Sequence, residues 1–446
     1  MQKDTRILTS SDSSGKQTEH IFFEMHKKSF FSAIKWNTFE SFFYQLILIT
    51  HQTGLFFYCD SSLYGKAGSL FAFSYFMVTI VLCGFEGGLL PFFQVFISCK
   101  KYYKKLLLIF CARQIMVIFF ICMLSVFTAI ASNYFPFDRT IIFLIGCFIA
   151  VESTKKMGKH LLYLAFYNRY TALMEIAQIT GYVTTIWGLH FYGIPFSLPL
   201  LFIPFIIWSS LFCLCTGLLL ARFYKKLPNV SVSLVVPPTC KEFFSVRCAI
   251  LMNQLCRSLF STNFLVPLFA LHGGFSQAGI MTFANYLTNT ATFFIYKICI
   301  PPAEGLLSRL KHADSILHYK ALRLILTIFC SVTTVLAVIL FSNSQSLALL
   351  LGNTTLTTVT SRLFLFFFFI HVLENMFIVY ERFLLLQHKL GLLTIGNLIT
   401  CGACVALLSA SLPFFTIVII SIFIRFLFFS LLSYLIFFPK KLSGIA

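Results

Sequence analysis

The chain has 446 residues, 58% of them hydrophobic and only 11% charged, with a mean hydropathy of +0.87. Soluble globular domains carry about 25% charged residues, so this composition excludes an ordinary soluble protein and makes the bilayer the chain's solvent. The net charge of +19 would suggest nucleic acid in a soluble chain, but its placement makes it a topology signal, and no nucleic-acid partner is expected.

Residues 1–35 read as a cytoplasmic N-terminal segment, polar at first and ending in a short amphipathic stretch, IFFEMHKKSFF. No cleavable signal peptide is apparent. Apolar runs of bilayer length follow at roughly 37–58, 67–97, 106–131, 140–165, 172–192, 197–221, 244–270, 278–302, 321–342, 362–384, 390–410 and 413–438. Each must be helical, because lipid offers no partner to a free backbone N–H or C=O. The prediction is an all-α integral membrane fold of about twelve transmembrane helices, with eleven or thirteen also compatible. The fourth run is the most interrupted, since Glu152, Lys155, Lys156 and Lys159 cut into its second half.

The N-terminus, the even-numbered connections and the C-terminus, taken with the adjoining parts of their spans, hold 27 of the 34 Lys and Arg, whereas the odd-numbered connections taken likewise hold only Lys66, Arg139 and Arg362. The positive-inside rule then puts both termini in the cytoplasm of a multi-pass inner-membrane protein. The fifteen cysteines are scattered, mostly within apolar runs, where a thiol acts as a small hydrophobe. Cys401-Gly-Ala-Cys404 reads as a small-residue packing face rather than a redox or metal pair.

An internal repeat is visible in the second and eighth runs, YGKAGSLFAFSY and FSQAGIMTFANY. An ungapped shift of 211 residues lays Ala67-Gly68 on Ala278-Gly279, Tyr75 on Tyr286 and Pro91 on Pro302, and it places Glu86 on Lys297. The expected organisation is a six-helix half at 36–222, a cytoplasmic linker at 223–242 and a second six-helix half with a short tail at 243–446. Halves with an even number of spans are related by an axis along the membrane normal, with a central cavity between them. Convergent helix composition is the alternative source of the match.

Residues 64–93, YGKAGSLFAFSYFMVTIVLCGFEGGLLPFF, resemble the second helix of polysaccharide flippases, where a Tyr-Gly leads into a long span ending near a Gly-rich turn. Residues 278–310, AGIMTFANYLTNTATFFIYKICIPPAEGLLSRL, are similar to their eighth helix, including the proline near its cytoplasmic end. The family is the multidrug/oligosaccharidyl-lipid/polysaccharide exporter superfamily. The major facilitator architecture also has twelve spans, but ISCKKYYKK at 97–105 lacks the Gly and Asp of its turn between spans two and three.

Charges inside the runs carry the functional reading. A charge at a span centre costs about 2.5–3.5 kcal/mol on insertion scales, so each must snorkel, pair or face water. Arg113 lies close enough to a membrane end to snorkel, and Glu152 is spaced to pair with Lys156 one turn on. Arg425 has only apolar neighbours in SIFIRFLFF. Asn253, Arg257 and Ser261 recur every four residues, and Ser41, Gln45 and Gln52 form a counterpart stripe with Glu40 and His51 alongside. These stripes are expected to line a vestibule, with interhelical hydrogen bonding as the alternative. Lys297 reads as an anion contact in a hydrated chamber, with Glu86 neutralising it or binding a coupling cation; snorkelling is its bland alternative. His371 and Glu374, one turn apart, are candidates for ion coupling or a structural pair, and Glu175 with Gln178 is a weaker case.

The resemblance implies a flippase that moves an anionic lipid-linked oligosaccharide on an undecaprenyl pyrophosphate carrier, driven by H+ or Na+, for surface polysaccharide synthesis. Arg257, Lys297, Asn253, Ser261 and Gln45 would bind substrate, while Glu86, Glu374 and His371 would couple the ion. Two alternatives stay open: a cation-coupled multidrug or metabolite antiporter of the same superfamily, and a non-transporting membrane assembly protein. No Walker loop, His-rich metal motif or Gly-x-Ser-x-Gly element is present, so no enzyme, cofactor or metal is expected.

Overall fold

The computed structural model describes residues 14–82, 84–85, 89–97, 100–130, 138–227, 240–258, 262–309 and 315–342, and scattered positions from 368 to 431. Nine long helices account for most of these: α1 (Ser14–Tyr58), α2 (Ser61–Leu82), α3 (Lys100–Ile130), α4 (Arg139–Leu164), α5 (Asn168–Phe191), α6 (Leu198–Lys226), α7 (Cys240–Ser258), α8 (Thr262–Arg309) and α9 (Ser315–Ser342). No strand occurs among the described residues. Among the described residues three segments are long and apolar enough to cross a membrane on length and composition alone: Ser61–Leu82, Leu198–Lys226 and Lys320–Val338. The result is the all-α membrane fold that the hydropathy pattern predicts. The last three expected spans lie largely outside the described residues.

Helix α6 shows how the sequence produces such an element. The Ser197 hydroxyl accepts from the Leu200 N–H at 3.4 Å, Pro199 occupies the first turn, and Lys225 and Lys226 stand in the last turn, where cations complement the helix dipole. One face buries Phe202, Phe205, Ser209, Phe212 and Thr216, and the opposite face leaves Ile203, Ile207, Leu211, Leu214 and Leu218 exposed. An apolar stripe at helical spacing that protein does not cover is the surface a bilayer solvates.

Three boundaries differ from the sequence expectation. Helix α1 runs unbroken from Ser14, so the amphipathic stretch continues into the first span instead of preceding it. The second span stops at Leu82 and turns at Gly84, with φ +67°, before a short 3-10 turn (Leu90–Phe92) and one helical turn (Phe93–Phe96). A Cβ on Gly84 would lie 2.3 Å from the Arg247 carbonyl oxygen of α7, so the turn needs glycine for both its φ and its packing. The expected seventh span, 244–270, is divided between α7 and the start of α8, which runs on through the eighth span with its break at Gly274 (φ +81°, ψ 166°).

Helix α2 lies along α8, and α1 packs on both α8 and α5. The α2–α8 seam is a close backbone approach: a Cβ on Gly65 would sit 1.7 Å from the Phe275 carbonyl oxygen, and one on Gly68 would sit 2.3 Å from Thr282 Cγ2. The Ser61 and Ser276 hydroxyls are 3.3 Å apart at the same end. These are the two helices that the 211-residue shift superposes, and their Ala-Gly pairs mark the seam. Stacked rings extend the packing to neighbours, with Phe56 on Phe283 at 4.3 Å and Phe71 on Phe202 at 4.2 Å between centroids. Helix α4 completes the inner layer against α6, α2 and α8.

Candidate functional site

The inner face of α1 is polar over four turns. Asn37, Glu40, Ser41, Gln45, His51 and Gln52 are all buried, whereas Phe39, Phe42, Phe43 and Leu46 on the other side are exposed. The spacing of three and four residues puts the polar set on one stripe. In a soluble helix the two faces would be reversed; here lipid takes the phenylalanines, and the protein must satisfy the polar groups.

At the level where α4 passes into α5, that stripe meets a cluster of four charges. Lys297 of α8 is 0% exposed. Its Nζ donates to Glu175 Oε2 of α5 at 2.6 Å, to Tyr163 Oη of α4 at 2.6 Å, and to Glu40 Oε1 of α1. An ammonium has three donors, and all three are used. The Tyr163 and Phe293 rings each lie 5.2 Å from the ammonium, adding cation–π attraction. Glu175 gives its other oxygen, Oε1, to Lys159 of α4. The two carboxylates and two ammonium groups sum to zero charge, the condition that makes such a group tolerable in a dry interior. The Asn37 side chain donates to the Lys297 carbonyl oxygen at 2.8 Å and accepts from Asn168 Nδ2 at 3.0 Å, which fixes the backbone beside the ions.

A second polar set lies further along α4. Lys155 pairs with Glu152 at 2.9 Å, Ser209 of α6 donates to Glu152 at 3.5 Å, and Gln178 of α5 donates to Ser209 at 2.6 Å. His160 Nδ1 stands 3.3 Å from Glu304 of α8. Towards the far end of α1, His51 accepts from Trp187 Nε1 at 3.1 Å, and Tyr64 donates to Gln52 at 3.1 Å.

The structure redistributes the residues singled out in the sequence. Lys297 is enclosed among the described residues, and its ammonium is engaged by Glu40, Glu175 and Tyr163 instead of standing open to an anionic ligand. Glu86, the partner expected for it, lies outside the described residues, as do Ser261, Glu374 and the side chains of Arg257 and Arg425. Asn253 donates to Thr394 at 3.1 Å and accepts from Asn397 at 3.0 Å, so it serves the interhelical bonding held as the alternative. Gln45 is buried, and neither carboxamide atom makes a hydrogen bond. His371 meets Asn285 of α8 at 3.2 Å.

Two local readings are corrected. Glu152 pairs with Lys155 three residues on, while Lys156 lies over the Tyr75 ring at 5.2 Å. Arg113 does not snorkel; it is buried and donates to the Val81 carbonyl at 2.9 Å and to Met157 Sδ at 3.3 Å. The sequence reading underrated Glu175, Lys159 and Tyr163. Their signal was present: Lys155, Lys159 and Tyr163 recur every four residues, which aligns two ammonium groups and a phenol on one face of α4. Among the described residues no group of three or more His, Cys, Asp or Glu is placed to hold a metal ion.

No family model and no curated protein matches the sequence. Solved structures match the fold over nearly the whole chain. An outward-facing multidrug resistance MATE family transporter of the MOP superfamily aligns with a TM-score of 0.62 at 13% identity, covering 94% of this chain and 96% of its own. The MATE transporter ClbM in complex with Rb+ gives 0.60 at 12%, covering 91% and 93%. A MATE in the straight conformation gives 0.60 at 12%, covering 91% and 94%. The chain therefore has the fold of the MATE transporters.

Proposed function

We propose that this protein is a cation-coupled transporter of the multidrug/oligosaccharidyl-lipid/polysaccharide exporter superfamily, working by alternating access between two six-helix halves, 36–222 and 243–446, with both termini cytoplasmic. The observation that carries the reading is Lys297, which α8 of one half inserts between Glu40 and Glu175 of the other. The shared fold supports a transporter, and the Rb+ bound by one of the similar proteins supports a monovalent cation as the coupling species. Carboxylates buried inside a membrane protein mark ion pathways and proton relays. In this reading the protein performs no covalent chemistry.

For the substrate, the geometry supports a small polar or cationic solute better than an acidic glycan. The case for an anion rests on Lys297 and Arg257; Lys297 is already paired with Glu40 and Glu175, and the Arg257 side chain lies outside the described residues. The lipid-linked glycan remains a second reading, favoured by the likeness of residues 64–93 and 278–310 to polysaccharide flippases. Purified protein in liposomes with an imposed H+ or Na+ gradient tests the choice. Gradient-dependent accumulation of a cationic dye, lost with Glu175→Gln, is the expected result. No gradient-dependent dye movement, together with loss of surface glycan on gene deletion, would overturn it in favour of the glycan.

A further inference from the structure

Resting on that transporter reading, we propose that the Lys297 cluster is a releasable clasp between the two halves, and that the α2–α8 glycine seam is the fulcrum about which they rock. Both features join the same two bodies, and they differ in chemistry. At the seam, small residues let the helices touch: Gly65 lies against the Phe275 carbonyl and Gly68 against the Thr282 side chain, and the one charge beside it, the Lys66 ammonium 5.5 Å from the Phe275 ring centroid, makes a cation–π contact and no described ion pair. Such a contact is short-ranged van der Waals packing between closely approaching helices. Lys297 lies 22 residues beyond Phe275 on α8, about 33 Å along a helix rising about 1.5 Å per residue. Rotation about the seam therefore displaces the clasp by more than the seam itself.

The partners of the clasp are unevenly shared. Glu40 (α1), Lys159 and Tyr163 (α4) and Glu175 (α5) belong to the first half, and Lys297 is the cluster's contribution from the second. Withdrawal of α8 leaves Glu175 with Lys159 as its ion pair. Glu40 loses the ammonium on Oε1, and its Oε2 makes no hydrogen bond even when clasped. Glu40 is thus the group dedicated to Lys297, whereas Glu175 ties Lys297 to the first half's own framework. The clasp is strong when dry and weak once water enters between the helices. Glu40 therefore takes its ion pair from the other half.

Hydrogen exchange on the full chain in lipid nanodiscs tests the assignment. Lys297→Met should raise exchange at least about tenfold in peptides covering 34–44, 159–176 and 292–303, while 61–70 and 275–284 stay protected. Glu40→Gln, a nearly isosteric change, should produce the same pattern to a smaller degree and serves if Lys297→Met does not fold. Wild-type exchange at the clasp in both single variants, or equal loosening at clasp and seam, would overturn the proposal. Failure of dye transport with this exchange pattern intact would count against the transporter reading and leave the clasp standing.

Discussion

Removing one ion from the four-charge cluster should cost far more than removing a matched pair. Lys297→Met leaves Glu40, Glu175 and Lys159 with one net negative charge in a site where Lys297 and Glu40 are 0% exposed. Breaking a buried pair from one side costs about 3–5 kcal/mol, a large share of a typical stability of about 5–15 kcal/mol. Glu40→Gln leaves one net positive charge and removes a charged hydrogen bond, a loss of about 1.5–3 kcal/mol. The double variant is neutral again, because Glu175 and Lys159 remain paired. It should therefore lose less than the sum of the two single changes, by about 0.5–3 kcal/mol. Equilibrium unfolding in mixed detergent micelles, run on all four proteins, measures that difference. Additivity within about 0.3 kcal/mol would refute the claim that the cluster acts as one neutral unit.

Two further expectations test the packing and the orientation. Gly65→Ala should destabilise by about 1–3 kcal/mol, because the added methyl would meet the Phe275 carbonyl at 1.7 Å, whereas Gly217→Ala, with nothing within 4 Å, should stabilise by about 0.5–1 kcal/mol; a melting comparison with no difference between them would count against the seam. Lys66→Cys should label from outside the cell and Lys101→Cys only after permeabilisation, and the reverse pattern would invert the proposed topology.

The membrane fold was legible because hydropathy and helix length are properties of one segment at a time. The α2–α8 seam was partly legible, since a repeat of Ala-Gly in two apolar runs marks where backbones approach. The cluster was not. Its members are 122 and 257 residues apart in sequence for the two Lys297 ion pairs, and nothing local tells Lys297 which acid it meets. The repeat sets Glu86 at the position equivalent to Lys297, but symmetry relates positions, not contacts. Lys155 and Lys159 also misled, because they read as interruptions of the fourth run and part of the cytoplasmic charge bias, when α4 holds them in ion pairs with Glu152 and Glu175. Setting them aside leaves the bias of Lys and Arg towards the cytoplasmic side in place.

Helix α1 has 45 residues without a break, a rod of about 67 Å at about 1.5 Å per residue, against a hydrocarbon thickness of about 30 Å. More than half of it therefore overhangs the bilayer, and Glu40 sits on the same shaft as that overhang. A tilt imposed near Ser14, by a lipid headgroup or a docked protein, would be carried mechanically to the carboxylate that Lys297 grips. The N-terminal stretch is in this sense a handle, and its length gives it leverage over the ion cluster.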